Sequence, residues 1–264
     1  MGFMRFFLAA ILCFSILCLS ICLSIQVAAA QGVVNHSDWQ TLLSRYVVVD
    51  SNGINRVRYR DFSDEDRRQL TRYIDQLATV QPETLGKDEQ FAYWVNLYNA
   101  LTVRVVLLHP QAESIKKMGE GLLSFGPWSE KLVSVAGQAM SLDDIEHGIL
   151  RTQWRERRVH YAVNCASLGC PNLQRVAYTG SNLQQLLAKA ELEFVRHTRA
   201  LRFTDDGQLV LSGLYEWYSE DFGDSEADLL EYLASFHPEW ASRLKQYEGS
   251  ISYEYDWSLN QAAE

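Results

Sequence analysis

SLDDIEHGILRTQWRERRVHYAVNCASLGCP, residues 141–171, holds the three readings on which the fold turns. Ser141–Trp154 reads as a capped helix with Leu142, Ile145 and Ile149 along its apolar face. Val159–Asn164 alternates Val159, Tyr161 and Val163 with His160, Ala162 and Asn164, which predicts a strand. Ala166–Gly180 shows neither period and reads as irregular chain.

Outward from this stretch the pattern is mostly helical. Asp38–Val48 predicts a short helix, and the alternation around Val57 and Tyr59 predicts a short strand. Ser63-Asp64-Glu65-Asp66 opens a helix striped by Leu70, Ile74 and Leu77. Phe91, Trp94, Tyr98, Leu101 and Val105 recur at helical spacing within Asp88–Leu108. Ser114–Gln138 is interrupted by glycines and gives no long element. Ser181–Thr198 predicts a helix, and Asp205-Asp206-Gly207 joins two strands in a hairpin. Ser225–Phe236 and Pro238–Gln246 read as helices, with a last strand at Ile251–Tyr255. Strands and helices do not alternate regularly, so the expected class is α+β. The expected architecture is a single domain, residues 31–264, with helices packed around a small, mainly antiparallel sheet.

The chain has 264 residues, 47% hydrophobic and 22% charged, enough to bury a sizeable core and unlike a disordered chain. Its formal net charge is −9 and it has no basic run, which argues against nucleic acid as a partner. Residues 1–30 combine a basic start, an apolar run and a Val27-Ala28-Ala29-Ala30 ending, which predicts a Sec signal peptide. The apolar run is long enough that an uncleaved membrane anchor is the alternative reading. Either way the remainder is expected in the periplasm or secreted, touching a membrane only through that segment. No later segment is read as long and apolar enough to span one. Cys13, Cys18 and Cys22 fall in the leader, which leaves Cys165 and Cys170 in the exported domain.

At 100° per residue, Glu146 points into the apolar face of its helix and His147 toward the edge. A buried carboxylate requires a cation, strong donors or a proton, and Arg151 or Arg158 is the structural candidate. With His160 and Cys165 one element away, the three make a Cys-His-carboxylate set: a thiolate nucleophile, a base and an orienting acid. An odd spacing puts His160 and Cys165 on opposite faces of a straight strand, so they meet only if it ends or bulges near Asn164. His147 is the alternative base. Cys165 and Cys170 form a structural disulfide or a redox pair on competing readings. No metal site is read, since a fourth ligand and regular spacing are missing, and no cofactor is implied. Asn96, Asn99, Asn164 or backbone N–H groups after Cys165 are candidate oxyanion or substrate contacts, although such amides more often pin loops. Trp217, Tyr218, Glu220 and Asp221 read as core and rim, with pocket lining as the alternative. His36, His109, His197 and His237 read as surface or packing residues.

At Phe91–Leu101, Ser141–Arg151 and Val159–Pro171 the sequence resembles the domain of unknown function 547 family. Weaker matching blocks lie at Ala177–Gly180, Leu211-Ser212, Trp217-Tyr218, Asp221–Gly223 and Tyr255–Asn260. Glu156-Arg157-Arg158 departs from the Asp-Pro-Arg that many relatives resemble there. The resemblance implies a core similar to papain-like or transglutaminase-like cysteine enzymes, with a Glu-His-Cys set on Glu146, His160 and Cys165. It also implies that Cys165 is the family's characteristic thiol, whereas the position of Cys170 is sometimes another residue. The expectation is an exported cysteine-dependent hydrolase or acyl transferase acting on an amide, peptide or ester bond, its substrate peptide-like or from the cell envelope. The alternatives are a non-catalytic binding or scaffolding domain and a thiol-redox protein.

Overall fold

Helix α3, Lys87–Leu108, is the element around which the others pack. Its 22 residues extend about 33 Å. All but five of them are buried, as expected of a helix that is apolar on every face. The computed structural model describes residues 32–119 and 126–263, which belong to one compact unit. The predicted signal peptide and its three cysteines lie outside the described residues.

Before α3 come α1 (Ser37–Tyr46) and α2 (Asp64–Ala78), separated by the antiparallel hairpin of β1 (Val47–Val49) and β2 (Asn55–Val57). Helix α1 buries Trp39, Leu42, Leu43 and Tyr46 at helical spacing. Ser63 caps α2 by accepting from the Asp66 N–H at 3.1 Å, and three acidic residues occupy the first turn, where the helix dipole favours them. The predicted strand therefore stops at Val57, and Tyr59 already begins a 3₁₀ turn. After α3, β3 (Val133–Val135) and β4 (Gln138–Met140) form a second hairpin. Ala136 and Gly137 turn it with φ of 49° and 81°, the positive pair a tight hairpin requires. That hairpin escapes sequence reading because alanine is an unusual residue at such a position.

The predicted helix from Ser141 is a π-helix over Asp144–Leu150 that continues as α4 (Arg151–Trp154). Val159–Asn164 is not a strand, and this expectation is corrected. Val159–Ala162 is one turn of helix, α5, and the chain becomes extended only at Val163. Every residue from Val159 to Asn164 is buried, so the apparent two-residue period marks no solvent face.

The remainder comprises α6 (Leu183–Val195), β5 (Leu201–Phe203), β6 (Leu209–Ser212), α7 (Gly213–Trp217), α8 (Ser219–Phe222), α9 (Glu226–Phe236), α10 (Ala241–Lys245) and β7 (Ile251–Glu254). Strands β5 and β6 pair antiparallel as the hairpin reading expects, but β7 joins β6 in parallel. The class is α+β. Instead of one sheet there are three small ones among the described residues, of two, two and three strands.

Two apolar clusters stabilise the unit. One surrounds α1, α2 and α3, and the other lies among α6, β5, β6 and α9. Helix α5 bridges them, with Val159 and Ala162 in the first and Tyr161 in the second. By length and hydropathy α3 does qualify as a membrane span, which corrects the sequence reading. Protein covers 89% of its most apolar window, so its apolar surface is already packed.

Candidate active site

The turn of α5 and the π-helix both present side chains to one cavity of about 310 Å³. Its wall includes Glu146, His147, His160, Cys165 and Cys170, with Tyr98, Trp128, Trp217, Tyr218, Tyr255 and Trp257 around them. The widened turn leaves Glu146 buried and His147 half-exposed, the two orientations the helical wheel expects. π-turns commonly occur where a helix must aim a functional side chain.

Cys165 is fixed by its main-chain neighbours. The Asn164 N–H donates to Asn99 Oδ1 at 2.8 Å, and Asn99 Nδ2 donates to the Ala162 carbonyl at 3.0 Å. Asn164 Oδ1 accepts from the Ala166 N–H at 2.9 Å, while its amide nitrogen donates to Pro171 O at 2.7 Å. Ala166 adopts a left-handed φ of 60°, so the chain reverses directly after the cysteine. The loop is then held by the C-terminal segment: Leu168 and Gly169 donate to Ser258 and Asp256 carbonyls, each at 2.8 Å. A Cβ at Gly169 would lie 2.9 Å from both the Asp256 nitrogen and the Tyr255 ring, so only glycine fits this approach.

Hydrogen bonds converge on the Cys165 sulfur. Ser167 Oγ lies 3.0 Å away and Tyr255 Oη 3.1 Å. The Cys165 N–H points at Cys170 Sγ, 3.0 Å away. A hydrogen bond from Cys170 lowers the Cys165 thiol most, burial opposes it, and Ser167 and Tyr255 add to the lowering, leaving the group at about 7. Burial drives Cys170 and the Tyr255 hydroxyl well above their usual ranges, so both remain protonated donors. Both cysteines are free thiols.

His160 is almost fully buried and stacks on Tyr218, ring centroids 4.1 Å apart. Its Nε2 lies 2.6 Å from Asp221 Oδ2 and its Nδ1 3.8 Å from Glu146 Oε1. Asp221 is therefore the carboxylate hydrogen-bonded to His160, and the expected contact with Glu146 is corrected: 3.8 Å is too long for a hydrogen bond. Burial raises the Asp221 carboxyl, but hydrogen bonds from His160 and Arg151 outweigh it and hold the group at about 2. Arg151 donates Nε to Asp221 and Nη2 to Glu220, each at 2.6 Å, which corrects its expected pairing with Glu146. Arg158 pairs with Glu156. An ionised Asp221 only accepts, so the proton of a neutral His160 sits on Nε2 and the basic lone pair on Nδ1. That Nδ1 is buried without a hydrogen-bond partner, and none joins it to Cys165.

The remaining candidates are placed elsewhere. His147 lies between Arg151 (3.2 Å) and Asp143 (3.7 Å), sharing the cavity wall but bonded to neither Cys165 nor His160. Asn96 pins the Tyr178 main chain through both its amide groups, at 2.7 and 3.1 Å. With the partners of Asn99 and Asn164 described above, all three amides position backbone and none lines the cavity, which corrects their assignment to an oxyanion. Among the described residues no three His, Cys, Asp or Glu side chains converge as a metal would require. Sequence reasoning missed Asp221 as His160's partner, Tyr255 and Ser167. The signal for Asp221 and Tyr255 lay in the weaker family blocks Asp221–Gly223 and Tyr255–Asn260, the second of which also carries Trp257 of the cavity wall.

The family described as "Protein of unknown function, DUF547" has a model that matches residues 82–195. Glu146, His160, Cys165 and Cys170 lie inside that range, and Tyr218, Asp221 and Tyr255 beyond it. No curated protein and no solved structure matches the chain.

Proposed function

We propose, for a chain whose residues 82–195 match the DUF547 family model, a cysteine-dependent hydrolase or acyl transferase acting on an amide, peptide or ester bond. One observation carries the reading: a Cys165 thiol lowered to about 7 shares a cavity with a histidine whose Nε2 is held by Asp221. The thiol proton passes to His160 Nδ1, and the imidazolium is stabilised by Asp221 at Nε2. The thiolate adds to the acyl carbon. The leaving amine or alcohol departs with the proton from His160, and a thioester remains on Cys165. Water, or an acceptor amine, gives its proton to His160 and releases the acyl group. A core related to the papain-like enzymes is part of this proposal, supported by a loop-borne Cys165 and a helix-borne His160 that line one cavity. Export through residues 1–30 to the periplasm or exterior, and a peptide-like or cell-envelope substrate, complete it.

The test is acyl-enzyme capture. The exported domain, reduced and incubated with an activated acetyl ester, is expected to carry one acetyl group on Cys165 by peptide-level mass spectrometry. Cys165→Ala abolishes it, and His160→Ala slows it by about 100-fold or more. Unselective labelling, unchanged in His160→Ala, contradicts the reading and favours a binding domain. The proximity of the Cys170 sulfur to the Cys165 amide supports a second, thiol-redox reading. That reading requires Cys170→Ser to abolish function, whereas acyl transfer survives it with a less acidic thiol.

A further inference from the structure

The wall of the Cys165 cavity is both acidic and aromatic. Asp143 and Glu146 line it, and among the described residues no lysine or arginine does. Two neighbouring cations are engaged elsewhere: Lys131 pairs with Asp144, and Arg151 with Glu220 and Asp221. Glu146 is more than nine-tenths buried, and its nearest ionic partner is His160 Nδ1 at 3.8 Å. That nitrogen is itself buried without a hydrogen bond. His147 lies 3.7 Å from Asp143. Glu146 accepts from the Tyr218 hydroxyl, a neutral donor, so the carboxylate still lacks a full counter-charge. The same wall holds Trp217, 46% exposed and stacked on Trp257 at 5.3 Å. Lys116 places its ammonium 4.9 Å from the Trp257 ring centre, so a cation already rests on this aromatic surface. Open indole beside an under-compensated carboxylate is the combination that holds an organic cation. The chain's net charge of −9 draws such a ligand in.

We infer that the cavity takes a substrate bearing a cationic amine, a primary ammonium or guanidinium, with Glu146 and Asp143 as counter-charges and Trp217 as its aromatic face. This deepens the acyl-transfer reading and rests on it for the ligand being a substrate. The charge preference itself requires no turnover.

Calorimetric titration of the reduced exported domain with benzylammonium, benzyl alcohol and benzoate tests it. Benzylammonium is expected to bind at least about 10-fold more tightly than the alcohol, and benzoate more weakly than either. Glu146→Gln and Trp217→Ala bring the ammonium close to the alcohol's affinity, while Cys165→Ala leaves the preference intact. Asp143→Asn, on the half-exposed rim, gives a smaller loss and serves if Glu146→Gln fails to fold. Equal affinities, or tighter binding of the alcohol or benzoate, overturn the inference. Iodoacetamide labelling of the same preparation separates the two claims. A fast thiol without ammonium preference defeats only the substrate class, and ammonium binding beside an inert thiol defeats only the acyl-transfer reading.

Discussion

Cys165 is half-buried, and burial by itself raises a thiol's pKa. Three donors reverse that sign: Cys170, Ser167 and Tyr255 stabilise the thiolate more than desolvation penalises it. Removing any donor must therefore raise the thiol. In Tyr255→Phe, Ser167→Ala and Cys170→Ala, the midpoint of Cys165 alkylation against pH is expected to move upward from about 7. A downward shift in all three contradicts the hydrogen-bond account. His160 offers a sharper comparison, because two carboxylates lie near its ring at different distances. Asp221→Asn removes the 2.6 Å contact and is expected to cut acylation by about 100-fold or more, with the fold retained. Glu146→Gln, at 3.8 Å, leaves the orientation of His160 intact and changes the rate less. Equal losses would show that Asp221 does not have the orienting role. Rates of single-turnover acetylation measure both.

At the scale of elements, the site is made by short, irregular pieces held against long ones. The π-turn aims Glu146 inward, α5 presents His160, and the loop after Asn164 presents Cys165. Helix α3 fixes that loop through Asn99, whose loss leaves the Asn164 N–H and the Ala162 carbonyl unpaired in the interior. Asn99→Ala is expected to cost about 2–4 kcal/mol in urea denaturation. From the other side, Gly169→Ala forces a Cβ against Asp256 and Tyr255, with an expected cost of about 1–3 kcal/mol and a raised Cys165 thiol as Tyr255 moves away. These elements also show what a sequence discloses. The amphipathic helices α1, α2 and α6 and the buried α3 announce themselves by their period, and α2 also by its cap. The four-residue turn of α5 does not, because a fully buried six-residue run carries no period that separates strand from helix. The cysteine, histidine and glutamate were legible as residue types at suggestive spacing. Asp221 was not legible as the partner, since 61 residues separate it from His160 and only tertiary packing of α8 brings them together.

For the whole molecule, the two apolar clusters joined through α5 and α6 mean that the cavity and the core are built on the same elements. Tyr161 and His160 are neighbours on one turn, the first in the core and the second in the cavity. Stability also carries a pH signature away from the site. His36 is buried, its Nδ1 2.7 Å from the Tyr73 hydroxyl, and burial lowers it to about 4 despite the opposing charge of Glu89. The unfolded chain takes up that proton near pH 6.5 and the folded one only near 4. Stability is therefore lost as pH falls through that window, by on the order of 3 kcal/mol at its lower end. Urea denaturation at neutral pH and at about pH 4.5 is expected to show a drop that is smaller by on the order of 2 kcal/mol in His36→Gln. An unchanged drop would place the acid sensitivity elsewhere.

The central claim is that Cys165 is an activated thiol, and its rate of alkylation by iodoacetamide against pH tests this most directly. With reduced protein comprising residues 31–264 and peptide-level mass spectrometry, the account predicts fast labelling of Cys165 with a midpoint near 7 and slow labelling of Cys170. A midpoint at or above about 8.5, the range of an ordinary thiol, would contradict it.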